Sequence, residues 1–343
     1  MDMQKIPSAL GRPKADLLEV LFREVYGAPL PLPTRVSATV EAHRDGHFAG
    51  KGNYKKLSLC CEAPFGTFTF PVYSVIPTGE GKHPAFVHIN FRDAIPDSYQ
   101  PTEELLDAGF ATLTFCYKDV TSDNGDFTNG LAGLLYPDGK RNPTDPGKIQ
   151  MWAWAARAVM DYALTLPELD GERISVAGHS RLGKTALVAG ALDERFYCAF
   201  SNDSGCGGAS IARDNTGETI EVITRVFPFW FCENYAGWAG KEWEMPFDQH
   251  FLISANLPHR VYVSSAEGDA WACQRNEYLS SALAAEVYRA AGKDAHLPPR
   301  GFPEVNGCYH EGWVGYHYRS GTHFFSRTDW QYYVAYLKTQ FAK

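Results

Sequence analysis

One nine-residue segment concentrates groups that can do covalent chemistry: Val176-Ala177-Gly178-His179-Ser180-Arg181-Leu182-Gly183-Lys184. An apolar run leads into Gly178, and an Ala- and Leu-rich helical pattern follows Ser180. Strand, tight turn and helix in that order form a nucleophile elbow, where a serine on a strained turn lifts its hydroxyl above the strand ends. The amide of the next residue, Arg181, then faces the position of an oxyanion, helped by the helix N-terminus. The pattern departs from G-x-S-x-G, because position 182 is Leu and the second glycine comes one residue later. A strand–turn–helix with an incidental serine is the plain alternative.

A serine nucleophile needs a histidine base and a carboxylate that orients it. In α/β-hydrolases these follow in the chain order Ser, Asp or Glu, His. The histidine belongs in the loop after the last strand. His317 falls inside the predicted strand 314–318, whereas His323 falls in the loop Ser320-Gly321-Thr322-His323, so His323 is the expected base. His88 reads as a strand residue, His250 and His310 as satisfied polar positions, and His296 as a surface loop residue. Two acids compete for the third role. Asp203 follows the strand ending at Ser201, and Asp269 follows the strand ending near Ser265. An Asx-turn that closes a strand end is the bland reading of either.

The elements that must hold these residues alternate. A helix at 14–26 and a Pro-rich loop occupy most of residues 1–50. Strands at 56–61 and 67–76 form an antiparallel hairpin around Pro64-Phe65-Gly66. Short apolar runs at 84–89, 110–115, 173–177, 199–201, 260–264 and 314–318 read as buried parallel strands. Between them lie helices at 101–108, stopped by Gly109, and at 277–291, stopped by Gly292. Another helix carries Ile149, Trp152, Ala156, Val159, Met160 and Ala163 on one stripe, with Asp145-Pro146 as its expected N-cap and first turn. The last helix covers 329–341. The fold class expected is α/β: a three-layer sandwich with a mostly parallel sheet, helices on both faces and an N-terminal antiparallel hairpin. No linker composition divides residues 1–343, which read as one domain.

Composition bounds the function. Lys and Arg number 32 against 40 Asp and Glu, giving a net charge of −8. A mildly acidic chain with no basic block argues against nucleic acid as a partner. No apolar run reaches the ~18 residues that a membrane span requires. Aromatic residues make up 14% of the chain, which excludes disorder. No pair of the eight cysteines has C-x-x-C spacing, so they read as reduced thiols. Met1–Pro7 shows no apolar leader core, so a cytoplasmic location is the expectation, with export after removal of a leader as the alternative. Histidines and acids are scattered rather than clustered at ligand spacing, so neither metal nor cofactor is expected.

These residues resemble the glucuronoyl esterases, carbohydrate esterase family 15, over roughly residues 80–340. Gly178 to Lys184 is similar to the family's G-x-S-R-x-G-K elbow, which accounts for the displaced glycine. Ser201 to Gly208, Gly217-Glu218-Thr219, Pro246 to His250 and Ser265 to Trp271 resemble its later blocks. Gly321-Thr322-His323, followed by Asp329-Trp330, resembles its histidine loop. The resemblance implies Ser180 as nucleophile, His323 as base and the Arg181 side chain in the oxyanion hole. It also implies that Lys184, Glu218 and Trp271 contact a glucuronoyl ring. The acid can follow either strand in the family, and Asp203 is a methylene shorter than the Glu often found there, so Asp269 comes first and Asp203 second.

Independently of the resemblance, Arg181 and Lys184 promise an electropositive mouth suited to a uronic acid. Trp271, Trp313 and Phe229-Trp230-Phe231 lie beside the candidate segments, where sugar faces would be met. The reaction that the resemblance implies is hydrolysis of (4-O-methyl-)glucuronic acid esters, of the kind that join xylan to lignin alcohols, with a small-molecule or oligosaccharide uronic acid ester as partner. An acetyl-xylan-type deacetylase and a non-catalytic carbohydrate-binding protein are the alternatives.

Overall fold

The computed structural model describes residues 3–343. Ten strands form one sheet: β1 Arg35–His47, β2 Gly52–Ala63, β3 Gly66–Pro77, β4 His83–Asn90, β5 Ala111–Cys116, β6 Leu169–His179, β7 Cys198–Asn202, β8 Arg260–Ala266, β9 Gly307–Tyr309 and β10 Val314–Arg319. Their order is β1-β2-β3-β5-β4-β6-β7-β8-β10-β9. The run from β5 to β10 is parallel. β1, β2 and β3 extend it antiparallel at one side, and β9 closes the other. The architecture is therefore the expected α/β sandwich.

Alternation along the central strands sends side chains to two cores. Val87, Val176, Ala199, Val261 and Val263 join the apolar residues of the helices Lys148–Ala163, Arg181–Leu192 and Gln274–Ala290. Phe86, Ala177, Phe200 and Tyr262 point the other way, onto Trp330, Tyr333 and Leu337 of the helix Arg327–Phe341. Trp330 packs edge-on against Phe86 and over Phe325. Truncating so buried an aromatic typically costs about 3–5 kcal/mol.

Three local features differ from the expectations. β1 lies in a region that reads as helix and loop. Most of its residues are exposed, so it carries no apolar stripe, and backbone pairing with β2 makes it a strand. The expected hairpin around Pro64-Phe65-Gly66 is present as β2 and β3, and β1 adds a third antiparallel strand to it. Asp145-Pro146 does not start the following helix: Gly147 is its N-cap, and the Asp145 carboxylate accepts from the Asn142 amide at 2.6 Å. A Cβ on Gly147 would lie 2.2 Å from the Trp230 carbonyl, so this entry point requires glycine. The predicted first helix is α-helical over Lys14–Leu21 and widens into a π-helical turn at Phe22–Tyr26. No helix among the described residues is long and apolar enough to cross a membrane. All eight cysteines are free.

Candidate active site

β6 ends at His179, and Ser180 takes up φ 57° and ψ −126° before the helix Arg181–Leu192 begins. A residue with a Cβ is strained in that region, and such strain concentrates at functional sites. The turn is tight enough that a Cβ on Gly178 would fall 2.1 Å from the Leu182 carbonyl. The displaced glycine also has a physical cause. Gly183 faces the end of β7, where a Cβ would meet the Asn202 carbonyl and the Ser204 Cβ at 3.1 Å. The Ser180 amide donates to the Asn202 carbonyl at 2.8 Å and fixes the same junction. The first helical amides, those of Arg181 and Leu182, have no acceptor within the helix.

β8 and β10 are parallel neighbours, in register from Val261 with Val314 to Ala266 with Arg319. Their C-terminal loops are zipped together. Glu267 N donates to Arg319 O at 2.8 Å, and Gly268 N donates to Gly321 O at 2.7 Å. Gly268 permits this approach, since a Cβ there would lie 2.8 Å from the Gly321 carbonyl. The outcome is a hydrogen bond of 2.6 Å between His323 Nδ1 and Asp269 Oδ2. Asp269 is buried, whereas the His323 side chain is 42% exposed.

Asp203 sits beneath this pair with a left-handed φ of 44°. Its Oδ1 accepts from the Ala266 amide at 2.7 Å, and its Oδ2 lies 3.4 Å from Arg319 Nη2. Burial first, then the nearby Asp329 and Glu277 carboxylates, push its carboxyl well above the usual range. Asp203, Asp269 and His323 offer ligand atoms within 4.8 Å of one another, and no other such group occurs among the described residues. An acid–base pair packed over a second carboxyl produces that compactness, and His323 and Asp269 are already bonded to each other.

Ser180, Arg181, Lys184, Asp203, Glu218, Trp271 and His323 line a single cavity of about 250 Å³. Asp269 stands behind His323. The Arg181 guanidinium pairs with Asp123. It lies 4.5 Å from the Trp230 ring and 5.4 Å from that of Phe227. Its Nε is buried without an acceptor. Asp123 also accepts from Trp230 Nε1 at 2.7 Å and from the Tyr117 hydroxyl at 2.8 Å. Lys184 donates to the Ser204 carbonyl and stands 3.7 Å from Glu218. The electropositive mouth expected from Arg181 and Lys184 is therefore balanced by two carboxylates. Glu218 N donates to Trp271 O at 2.8 Å, which ties the loop carrying Glu218 to the 54%-exposed Trp271 indole.

Trp230 lines the cavity, stacked on Phe227 with 3.9 Å between ring centroids. Phe231 is instead core, and Trp313 packs against Arg260 and Lys293 away from the site.

The sequence reading did not single out Asp123, Phe227 or His179. His179 is buried with its ring 4.4 Å from that of His323. Its Nδ1 lies 2.6 Å from Asn202 Oδ1, and burial pushes its pKa down to about 3, so it is neutral and donates there. Its place as the residue before the elbow serine was the available signal. Asp123 had none, since it lies 58 residues upstream in a polar loop.

The chain is similar to several known proteins. A family model described as "Glucuronyl esterase, fungi" matches residues 63–292. A carbohydrate esterase named MZ0003, from an unknown prokaryotic organism, is 38% identical over 237 residues, covering 68% of this chain and 54% of that protein. A 4-O-methyl-glucuronoyl methylesterase of Podospora anserina is 27% identical over 307 residues, covering 86% and 58%. The chain thus spans little more than half the length of these two relatives. A solved glucuronoyl esterase from Solibacter usitatus superposes with a TM-score of 0.89 at 28% identity, over 98% of this chain and 97% of that one.

Proposed function

The chain belongs to the glucuronoyl esterases of carbohydrate esterase family 15, and from that membership we propose that it hydrolyses esters of glucuronic or 4-O-methyl-glucuronic acid through a Ser180–His323–Asp269 triad. The observation that carries this reading is the 2.6 Å bond that His323 Nδ1 donates to Asp269 Oδ2, with His323 lining the same cavity as the strained Ser180. Asp269 holds the Nδ1–H tautomer, which leaves Nε2 as the base.

His323 takes the Ser180 proton as the hydroxyl oxygen attacks the ester carbonyl. The tetrahedral oxyanion is met by the Arg181 amide and by the Arg181 guanidinium, anchored on Asp123. In α/β-hydrolases a second oxyanion amide comes from the loop after the strand that here is β4. In this chain the Phe91 amide in that loop donates to Asn90 Oδ1 at 2.8 Å. A guanidinium as second donor fits that engagement. Removing one donor from such a hole typically costs about 2.7–4 kcal/mol. His323 returns the proton to the leaving alcohol. Water, activated by the same histidine, then releases uronate from the acyl-enzyme. Lys184 and Glu218 would grip ring hydroxyls, and Trp271 would cover a sugar face at the rim.

The test compares benzyl glucuronate with an acetylated sugar, using wild type and Ser180→Ala together. Turnover of the glucuronate that vanishes in Ser180→Ala is the expected result. Preference for the acetyl ester would move the chain to the deacetylases. Turnover unchanged in Ser180→Ala would remove the serine mechanism, and no turnover of either ester by wild type would leave a carbohydrate-binding role.

A further inference from the structure

Lys148 opens the helix Lys148–Ala163 and is fully buried. No carboxylate lies within ion-pairing distance of it among the described residues. Its three donors meet three oxygens instead: Ser122 O at 2.6 Å, Ser122 Oγ at 2.9 Å and Asp126 O at 2.6 Å. An ammonium has three N–H donors and no acceptor, so this set saturates it.

The loop around it is wound inward on its own polar side chains. Ser122 N donates to Asn129 Oδ1 at 3.0 Å, and Asn129 Nδ2 returns a bond to Ser122 Oγ at 2.9 Å. Asn124 Oδ1 accepts from Ser122 Oγ at 2.7 Å and from Asp126 N at 3.0 Å. The Asp126 carboxylate turns away from Lys148 to the Thr128 amide and hydroxyl. Ser122 O belongs to the peptide that leads directly into Asp123, the residue paired with Arg181.

We propose that Lys148 is a positioning residue for ester cleavage: its ammonium is the internal cation that shapes loop 121–129, and that loop delivers Asp123 to the Arg181 guanidinium. The proposal rests on the reading that Arg181 serves the oxyanion. A buried charge without a counter-ion is costly, and hydrophobic replacements of similar shape are usually available. A charge retained here therefore points to the geometry it imposes. The charged groups that face Lys148 are Asp123 and Asp126 from the loop and Arg141 from the segment ahead of the helix. Arg141 and Lys148 both lie against the Phe127 ring, at 3.9 Å and 4.8 Å. Burial first, opposed by the two carboxylates, brings the Lys148 pKa down to about 8. The ammonium is then lost in mildly alkaline solution.

The experiment measures kcat and KM on benzyl glucuronate from pH 6 to 9.5 for wild type, Lys148→Met, Arg181→Ala and the double variant. Wild-type kcat should fall above about pH 8, and Lys148→Met should lack that limb. At pH 7 Lys148→Met should lose roughly tenfold in kcat with KM changed less than about twofold, as for an interaction made in the transition state. Added to Arg181→Ala it should cost nothing further, since both act through one guanidinium. An alkaline limb retained in Lys148→Met, an unchanged kcat at pH 7, or losses that multiply would overturn the proposal. A silent Arg181→Ala would remove the underlying reading and the proposal with it, a result distinct from the other three. Should Lys148→Met not fold, Ser122→Ala removes one of the three acceptors and should move the limb to lower pH. A limb left in place would overturn the proposal in that arm.

Discussion

Asp269 Oδ2 lies 2.6 Å from His323 Nδ1, while the second acid beneath the site, Asp203, binds the Ala266 amide instead. The two carboxyl groups should therefore respond differently to removal of charge. Asp269→Asn is expected to lower kcat by about 10³–10⁴, the scale seen when a triad loses the partner that fixes its tautomer. Asp203→Asn keeps an acceptor for Ala266 and should cost less than about tenfold. Side-by-side kinetics on benzyl glucuronate decide it, and reversed magnitudes would reassign the acid.

Arg181→Ala should depress kcat by about 10²–10³ while KM moves only a few-fold, because in the proposed mechanism the guanidinium meets charge that develops during reaction. Asp123→Asn leaves that guanidinium charged but loosens its anchor, so a smaller loss of the same kind is expected. Equal effects on kcat and KM would mark Arg181 as a ground-state contact.

Trp271 offers an exposed indole face at the rim and is not part of the core. Trp271→Ala should raise KM several-fold for oligosaccharide esters and leave the melting temperature within about 1 °C, since surface changes rarely exceed ±0.5 kcal/mol. A fall in thermal stability without a change in KM would make Trp271 a packing residue.

The central strands were legible because each is a short apolar run between turn signals, and chain order separated His323 from His317. β1 was not, because its stability comes from backbone pairing with β2 rather than from an apolar face. The displaced elbow glycine shows the limit of local pattern. Only the crossing of Gly183 against Asn202 and Ser204 explains its position, and a linear reading contains no crossings. Arg181 was identified as a cation, but its counter-ion could not be, because Asp123 reaches it from a loop with no motif of its own. A helix-start signal at Asp145-Pro146 was overruled by tertiary contact between Gly147 and Trp230.

His250 gives a stability test with a definite sign. It is buried with Nε2 2.9 Å from the Pro7 carbonyl, and burial pushes its pKa down to about 3. Between pH 6.5 and that value the unfolded chain takes up a proton that the folded chain refuses, so acidification removes stability. His250→Gln can still donate to Pro7 but cannot take up that proton. From pH 6.5 to pH 5 the variant should gain about 1.6 kcal/mol relative to wild type. Urea unfolding at the two values checks this, and a constant difference between the proteins would contradict it.

The pairing of Arg181 with Asp123 and of Lys184 with Glu218 has a bearing on turnover. Ester hydrolysis turns a neutral substrate into an anion inside the cavity. A mouth with two uncompensated cations would retain that anion and make product departure slow. Here each cation already has a carboxylate, so in the proposed reaction the uronate leaves a site that is close to neutral. Free glucuronate should accordingly inhibit weakly, with an inhibition constant above the KM of its benzyl ester, and neutralising Glu218 or Asp123 should tighten it.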